Sequence, residues 1–322
     1  MRTHQDRYIN PLTDFGFKKL FGSEPNKILL IDFLNQILPE RHQIQDLTYV
    51  RNEQFPATIT DRKAIFDLNC LGKNGERFIV EVQNAKQNYF KDRSVFYASF
   101  PIQEQAKKGE WNFKLQPVYT VGILNFKFDD RSDDEVVHYV ELKDQECRVF
   151  YDKLKFIYIE LPKFNKQEEE LVTQFDKWLY VFRYLSDLRA RPAKLQEKIF
   201  QRLFEAAEIA QFSKKERMQY ETSLKHYRDL TNIVDTAKEE GREEGREEGR
   251  EEGREEGREE GREEGRKEGR EEGREEGREE GLKKSREEIA LRLLELNLPI
   301  RTIREATGLS EEELEELRRK KE

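Results

Sequence analysis

Asp67, Glu81 and Gln83 stand at positions where polar side chains of their kind are costly. The stretch 64–83 reads as two strands joined by a tight turn. Alternation sets Ile65, Asp67 and Asn69 on one face of the first strand and Phe66, Leu68 and Cys70 on the other. In the second strand Ile79, Glu81 and Gln83 share a face, while Phe78, Val80 and Val82 point away. A carboxylate in mid-strand costs free energy when buried without a partner. Two of them plus an amide, on adjacent strands and one face, suggest a metal ion held by oxygen ligands, which suits Mg²⁺ or Mn²⁺. Such an ion orients a water and neutralises charge building on a phosphate. The same pattern also describes a solvent-facing strand surface with Glu and Gln exposed, and the residues alone leave both readings open.

The turn decides whether the two acids meet. Lys73-Asn74-Gly75 suits a three-residue loop with Gly75 in the left-handed position after a type I turn. That loop pairs Gly72 with Glu76 and sets Asp67 directly opposite Glu81, with Cβ atoms roughly 4.5–5.5 Å apart. Like charges at that separation repel unless a cation lies between them. A two-residue Asn-Gly turn would shift the register by one and oppose Asp67 to Val82 instead.

Elements before and after the hairpin must position it. Thr13 caps a short helix from Asp14 to Phe21, stopped by Gly22. Ser23 with Pro25 starts a second helix whose buried stripe is Leu30, Phe33, Leu34 and Ile37, ended by Pro39. A strand is expected near Leu47–Arg51 and a helix over Tyr89–Lys108, kinked or broken by Pro101. Pro117–Leu124 is apolar enough for a buried central strand. Further strands are expected at Glu135–Leu142 and Lys155–Leu161, then a helix from about Glu168 to Leu188. That helix carries Leu171, Phe175, Trp178, Phe182 and Leu185 as a core stripe, and more helices follow from Pro192 to about Ala237. The four histidines lack ligand spacing and are given no role.

Charged residues make up 39% of the 322 residues and hydrophobic ones 35%, a shortfall of apolar content that is partly local. Ten Gly-Arg-Glu-Glu units run from Gly241 to Glu280, changed once at Lys267, with no apolar side chain among them. They hold 10 Arg, 1 Lys and 19 Glu; the rest of the chain carries 48 basic and 48 acidic residues. The acidity of the protein therefore belongs to the repeat, and any surface for nucleic acid must be a local patch. A four-residue unit advances about 400° round a helix, so its glycines wind rather than form a straight seam. Each glycine costs about 1 kcal/mol relative to alanine, which makes an isolated helix marginal. If helical, the repeat would extend about 60 Å. A solvated spacer is favoured over an oligomerising rod.

Beyond the repeat, Ser285–Glu288 and Ser310–Glu313 read as capping boxes, and Ile300–Thr307 as a short helix stopped by Gly308. The last helix opens with Glu311, Glu312 and Glu313, a poor face for a major groove, so protein contact or self-association is the expected use. Cys70 and Cys147 are far apart and lack ligand spacing, a pattern that suits a reducing compartment. The start is polar, and the longest aliphatic run, Ile28–Ile31, is too short to span a bilayer. A soluble cytoplasmic protein with no membrane partner is expected.

Several separate motifs, in order, resemble the Rpn family of recombination-promoting nucleases, described as putative transposases of the PD-(D/E)XK nuclease superfamily. They are Pro11–Gly22, Phe66-Asp67, Ile79–Gln83, Arg93 with Tyr97, Ile159–Phe164 and Asp176–Leu179, within a likeness that runs to about residue 235. The resemblance implies an α/β, restriction-endonuclease-like αβββαβ core with a mixed central sheet over 1–165. A helical extension over 166–238, the repeat spacer over 239–281 and a small helical module over 282–322 would follow. It implies Mg²⁺-dependent hydrolysis of DNA phosphodiester bonds, with Mn²⁺ an alternative; a homo-oligomer is expected, so that two sites can cut two strands. Asp67 and Glu81 would bind the metal and Gln83 would complete the catalytic set. Asp14 is a candidate accessory acid or equally a helix-start residue, and Arg93 and Tyr97 would touch the phosphate backbone or brace the site. Two departures stand out: Phe66 replaces the proline of the superfamily name, and Gln83 its lysine. Gln83 brings no charge, so Arg62, Lys63 or Lys86 would have to compensate, or activity is low. A nuclease-like fold that grips DNA without cutting, and an assembly protein built on the repeat and C-terminal helices, are the rival readings.

Overall fold

The computed structural model describes residues 6–50, 53–54, 64–106, 111–128 and 134–319. The first unit, 1–237, opens with helices α1 (Asp14–Phe21) and α2 (Lys27–Asn35) and strands β1 (Leu47–Tyr49), β2 (Glu53–Gln54), β3 (Ala64–Ile65), β4 (Leu68–Gly72) and β5 (Arg77–Gln83). Helix α3 (Phe90–Gln103) leads to β6 (Val118–Leu124), β7 (Val137–Lys143) and β8 (Val149–Glu160). Helices α4 (Gln174–Tyr184), α5 (Lys198–Ala207), α6 (Lys214–Glu295), α7 (Ile300–Thr307) and α8 (Glu311–Arg319) complete the order. Six strands form one mixed sheet in the order β1-β4-β5-β6-β8-β7; β5, β6 and β8 run parallel and the outer pairs antiparallel. The strands β2 and β3 pair separately.

Alternation sorts the sheet's two faces. Leu68, Cys70, Phe78, Val80, Tyr119, Val121 and Ile123 join the main core with Phe17 and Phe21 of α1, Phe33 of α2, Trp178 and Phe182 of α4 and Phe200 of α5. Val118, Leu124, Phe156 and Tyr158 point the other way, onto Phe90 and Ala98 of α3. Trp178 is fully buried, as the stripe predicts, and its indole N–H donates to Asp32 Oδ1 at 2.7 Å. Its helix starts later than the sequence suggests. Thr173 and Asp176 form a reciprocal capping box, and Glu168–Glu170 is a separate 3₁₀ turn. Thr13 caps α1 as expected, accepting from Gly16 N at 3.0 Å.

The hairpin follows the three-residue turn. Leu68 pairs with Val80, Asn69 with Ile79, Cys70 with Phe78 and Leu71 with Arg77, while Gly72 N donates to Glu76 O at 2.8 Å. Gly75 has φ 94°, the left-handed conformation that the loop requires. One expectation fails. The first strand does not run unbroken from Ala64, because the chain bends at Asp67, and β4 begins only at Leu68. Phe66 therefore does not join Leu68 and Cys70; it packs with Ile79, Tyr97 and Phe100 beneath α3. Alternation holds only while the ladder does, and here it ends one residue early.

His138, given no role from its sequence spacing, is buried in an internal polar cluster. Its Nε2 lies 2.5 Å from Glu160 Oε1, which also meets Lys163 Nζ at 3.3 Å, and Phe128 N donates to Glu160 Oε2 at 3.0 Å. Buried charge is tolerated when paired and hydrogen-bonded in this way.

The repeat is helical. α6 runs unbroken from Lys214 to Glu295; its first turns bury Tyr220 against the core with Leu224 and Tyr227, and residues 241–281 are all exposed. Helix initiation is the costly step, and packed residues supply it, so the glycine-rich run needs only to propagate. Ser285 lies inside this helix, so the helix start predicted there is absent. In the second unit, 238–322, Ala290, Ile303, Leu309 and Leu314 form a small core, and Gly308, at φ 72°, ends α7 as expected. Ser310 and Glu313 form the predicted capping box, with Ser310 N donating to Glu313 Oε2 at 2.8 Å.

A Cβ at Gly75 would lie 3.1 Å from Gln116 Cγ, on a backbone that L-residues rarely adopt. Gly75→Ala is expected to lower the unfolding free energy by about 1–2 kcal/mol, read as a lower urea midpoint. An unchanged midpoint would reject the left-handed turn as the element that holds the hairpin register.

Candidate metal centre

The bend that displaces Phe66 also turns Asp67 toward the neighbouring strand. Asp67 Oδ2 accepts from Val82 N at 2.8 Å, which fixes the carboxylate beside Glu81. Glu81, by alternation on the α3 face with Ile79, is 8% exposed. Gly122 of β6 is its cross-strand partner, and a Cβ there would meet the Tyr158 ring at 3.0 Å. That glycine lets the ring close over the strand next to the acid.

Two carboxylates in this setting disfavour each other's charge. Burial first, and the neighbouring Asp67 next, push the Glu81 carboxyl up to about 7, against Arg93 and the Gln83 amide. Asp67 is also raised, first by burial and also by Asp14, against the Val82 N–H, Lys18 and Arg93. Tyr97 is raised by burial and by both acids.

Gln83 Nε2 lies 3.4 Å from Glu81 Oε2, and its Oε1 accepts from Arg93 Nη2 at 2.8 Å. Arg93 also donates to Gln87 Oε1 and stands over the Tyr97 ring, 5.8 Å from its centroid. Tyr97 packs edge-on against Phe66 at 5.4 Å. Asp67, Glu81, Gln83, Arg93 and Tyr97 are thus brought together. Asp14 reaches the group through its charge only: its carboxylate pairs with Lys18 Nζ at 2.6 Å and is largely exposed. Among the described residues, no group of three or more His, Cys, Asp or Glu is arranged to hold a metal ion. Asp14 therefore stands outside the Asp67–Glu81 pair. Lys63 and Arg62 lie outside the described residues.

Lys18 was not singled out from the sequence, although its charge acts on Asp67. The available signal was its position one helical turn after Asp14. Its proximity follows from α1 packing: a Cβ on Gly22 would lie 2.8 Å from Leu68 Cδ2, and Asn84 Nδ2 donates to Leu12 O at 2.7 Å. These contacts place α1 against both strands that carry the acids.

The donor set fits a hard divalent cation. Both side chains offer oxygen, the pair is desolvated, and their mutual repulsion is what a cation between them would relieve.

Residues 11–237 match the family described as PD-(D/E)XK nuclease family transposase. The chain belongs to that family. Its mixed sheet with flanking helices is the α/β restriction-endonuclease-like fold that the sequence motifs imply. No curated protein and no solved structure matches it. Among the described residues, no helix is long and apolar enough to cross a membrane.

The sign of the Glu81 shift sets a pH dependence. The folded protein holds the Glu81 proton more tightly than the unfolded chain, whose carboxyl has the ordinary value of 4.5. Stability from this group is present below about 4.5 and is lost as pH rises toward about 7. In EDTA, Tm of the wild type is expected to fall over that window relative to Glu81→Gln, then to stay lower and run parallel to it. Identical profiles for the two proteins would reject a buried, proton-holding Glu81.

Proposed function

We propose that this chain is a divalent-metal-dependent DNA endonuclease that hydrolyses phosphodiester bonds in recombination or transposase-like reactions. The carrying observation is the pair of carboxylates, half-buried Asp67 and buried Glu81, both raised first by burial, with Asp67 raising Glu81 as well. Their carboxylate oxygens would hold Mg²⁺, with Mn²⁺ an alternative, and the Val82 carbonyl is a further candidate ligand. The bound ion would acidify a water and neutralise charge on the phosphate.

The rest of the chemistry falls to the chain's own groups. Gln83, braced between Glu81 and Arg93, orients the water or the scissile phosphate through its amide. Arg93 brings the positive charge that Gln83 lacks, and a guanidinium presents fixed donors to phosphate oxygens. Tyr97 braces the Arg93 guanidinium and excludes water from the pair. Lys18 neutralises Asp14 and lowers the cost of charge on Asp67. Two copies of the chain would bring two sites to the two strands, and the exposed repeat would serve as a spacer. Both cysteines are free, Cys70 buried and Cys147 exposed, which agrees with a cytoplasmic setting.

Gln83 in the place of a lysine favours one alternative, a nuclease fold that binds DNA and cuts slowly or not at all. Plasmid nicking separates the two. The wild type is expected to nick supercoiled DNA in Mg²⁺, and Asp67→Ala or Glu81→Ala to abolish it, with binding retained in a gel. Equal nicking by both variants would overturn the metal assignment; retention of DNA with no cutting in any divalent metal would select the alternative.

A further inference from the structure

The candidate metal centre continues outward along α3. Tyr97, Arg93 and Tyr89 are spaced four apart. The first two face the acids, and Tyr89 begins the row at its outer end, with its carbonyl accepting from Arg93 N at 2.9 Å. Tyr89 is 80% exposed and adopts φ 61°, a left-handed backbone that a bulky aromatic residue rarely takes. Its position is tied to the site: Arg93 donates to Gln83 on the strand and to Gln87 in the loop that carries Tyr89. Beside the ring is a hollow of about 280 Å³ whose lining includes Lys86, Tyr89, Lys91, Asp92, Phe126 and Phe128. Lys91 Nζ lies over the Phe128 ring at 5.1 Å. Aromatic surface, two ammonium groups and one carboxylate, that of Asp92, meet in one small concavity a few residues from Gln83, and the lysines leave it a positive balance.

We propose that this hollow is a nucleotide subsite for the strand leaving the metal centre, with one base stacked on Tyr89 and its phosphate met by Lys86 and Lys91. The chemistry suits a nucleotide. A π-face accepts any base, and lysine ammonium groups supply the charge that a phosphate needs. Stacking tolerates every sequence, so the subsite positions the strand without reading it. The inference rests on the reading that the chain acts on DNA, and it adds a contact that neither the acids nor Gln83 can make. The left-handed backbone holds a largely exposed aromatic side chain at the mouth of the hollow, a placement that makes sense if the ring meets a ligand.

The test uses the full chain and a single-stranded oligonucleotide carrying 2-aminopurine, in EDTA and again in Ca²⁺. Wild-type protein is expected to bind it and quench the fluorescent base. Tyr89→Ala is expected to weaken binding by about tenfold and to lose the quench, and Tyr89→Phe to keep both. Tyr89→Gly removes the backbone strain together with the ring, so it stays informative if the alanine variant melts early; it is expected to behave as alanine does. Wild-type binding and quench in the glycine or alanine variant would overturn the subsite, as would their loss in the phenylalanine variant. Absence of binding by the wild type in both buffers would overturn the DNA reading itself.

Discussion

One hydrogen bond organises the candidate centre: Val82 N–H to Asp67 Oδ2. Without it, Asp67 would have no reason to leave the strand path at the point where the ladder ends. With it, a second carboxylate is held against buried Glu81. The arrangement is unfavourable for the empty protein, since desolvation and like charge both oppose ionisation. Its supports include a backbone donor on Asp67, an amide on Glu81, and the charges of Arg93 and Lys18. A cation between the two carboxylates would relieve that cost.

The layers of the fold supply these supports from opposite sides. α1 lies on the face of the main core and contributes Lys18, while α3 covers the other face and contributes Arg93 and Tyr97. Asp67 is influenced from both because it occupies the bend between β3 and β4 rather than the interior of a strand. Arg93 is the hub of this arrangement, touching Gln83, Gln87 and the rings of Phe90 and Tyr97. A lysine at position 83 would place a charge at the acids directly. Glutamine instead links the acids to an arginine one step away.

The repeat obeys different physics. A Cβ added at any of its glycines would meet nothing within 4 Å beyond the helix's own turns, so no packing sustains the helix there. Favourable i,i+4 ion pairs occur where the chain departs from its unit, at Lys267 with Glu263 and at Lys284 with Glu280. What carries helix through such a sequence is continuity with packed turns, because propagation is far cheaper than initiation.

Much of this was legible before any coordinates. Thr13, Gly22, Gly75, Gly308 and the Ser310–Glu313 box mark helix and turn boundaries through local backbone chemistry, which acts within a few residues. The hairpin register followed from its loop, and the loop from one glycine. The bend at Asp67 was not legible, because the partner that causes it is a backbone amide 15 residues away. The late start of α4 and the continuity of α6 through Ser285 likewise depend on what each segment packs against or grows from. Lys18 escaped notice for the same reason: its role depends on the sheet beneath α1. Sequence alone therefore determined which residues are candidates for the chemistry and how the hairpin carrying them is registered, since those are local. Only the tertiary structure decided which charges surround the acids, because electrostatic neighbours are set by distance in space.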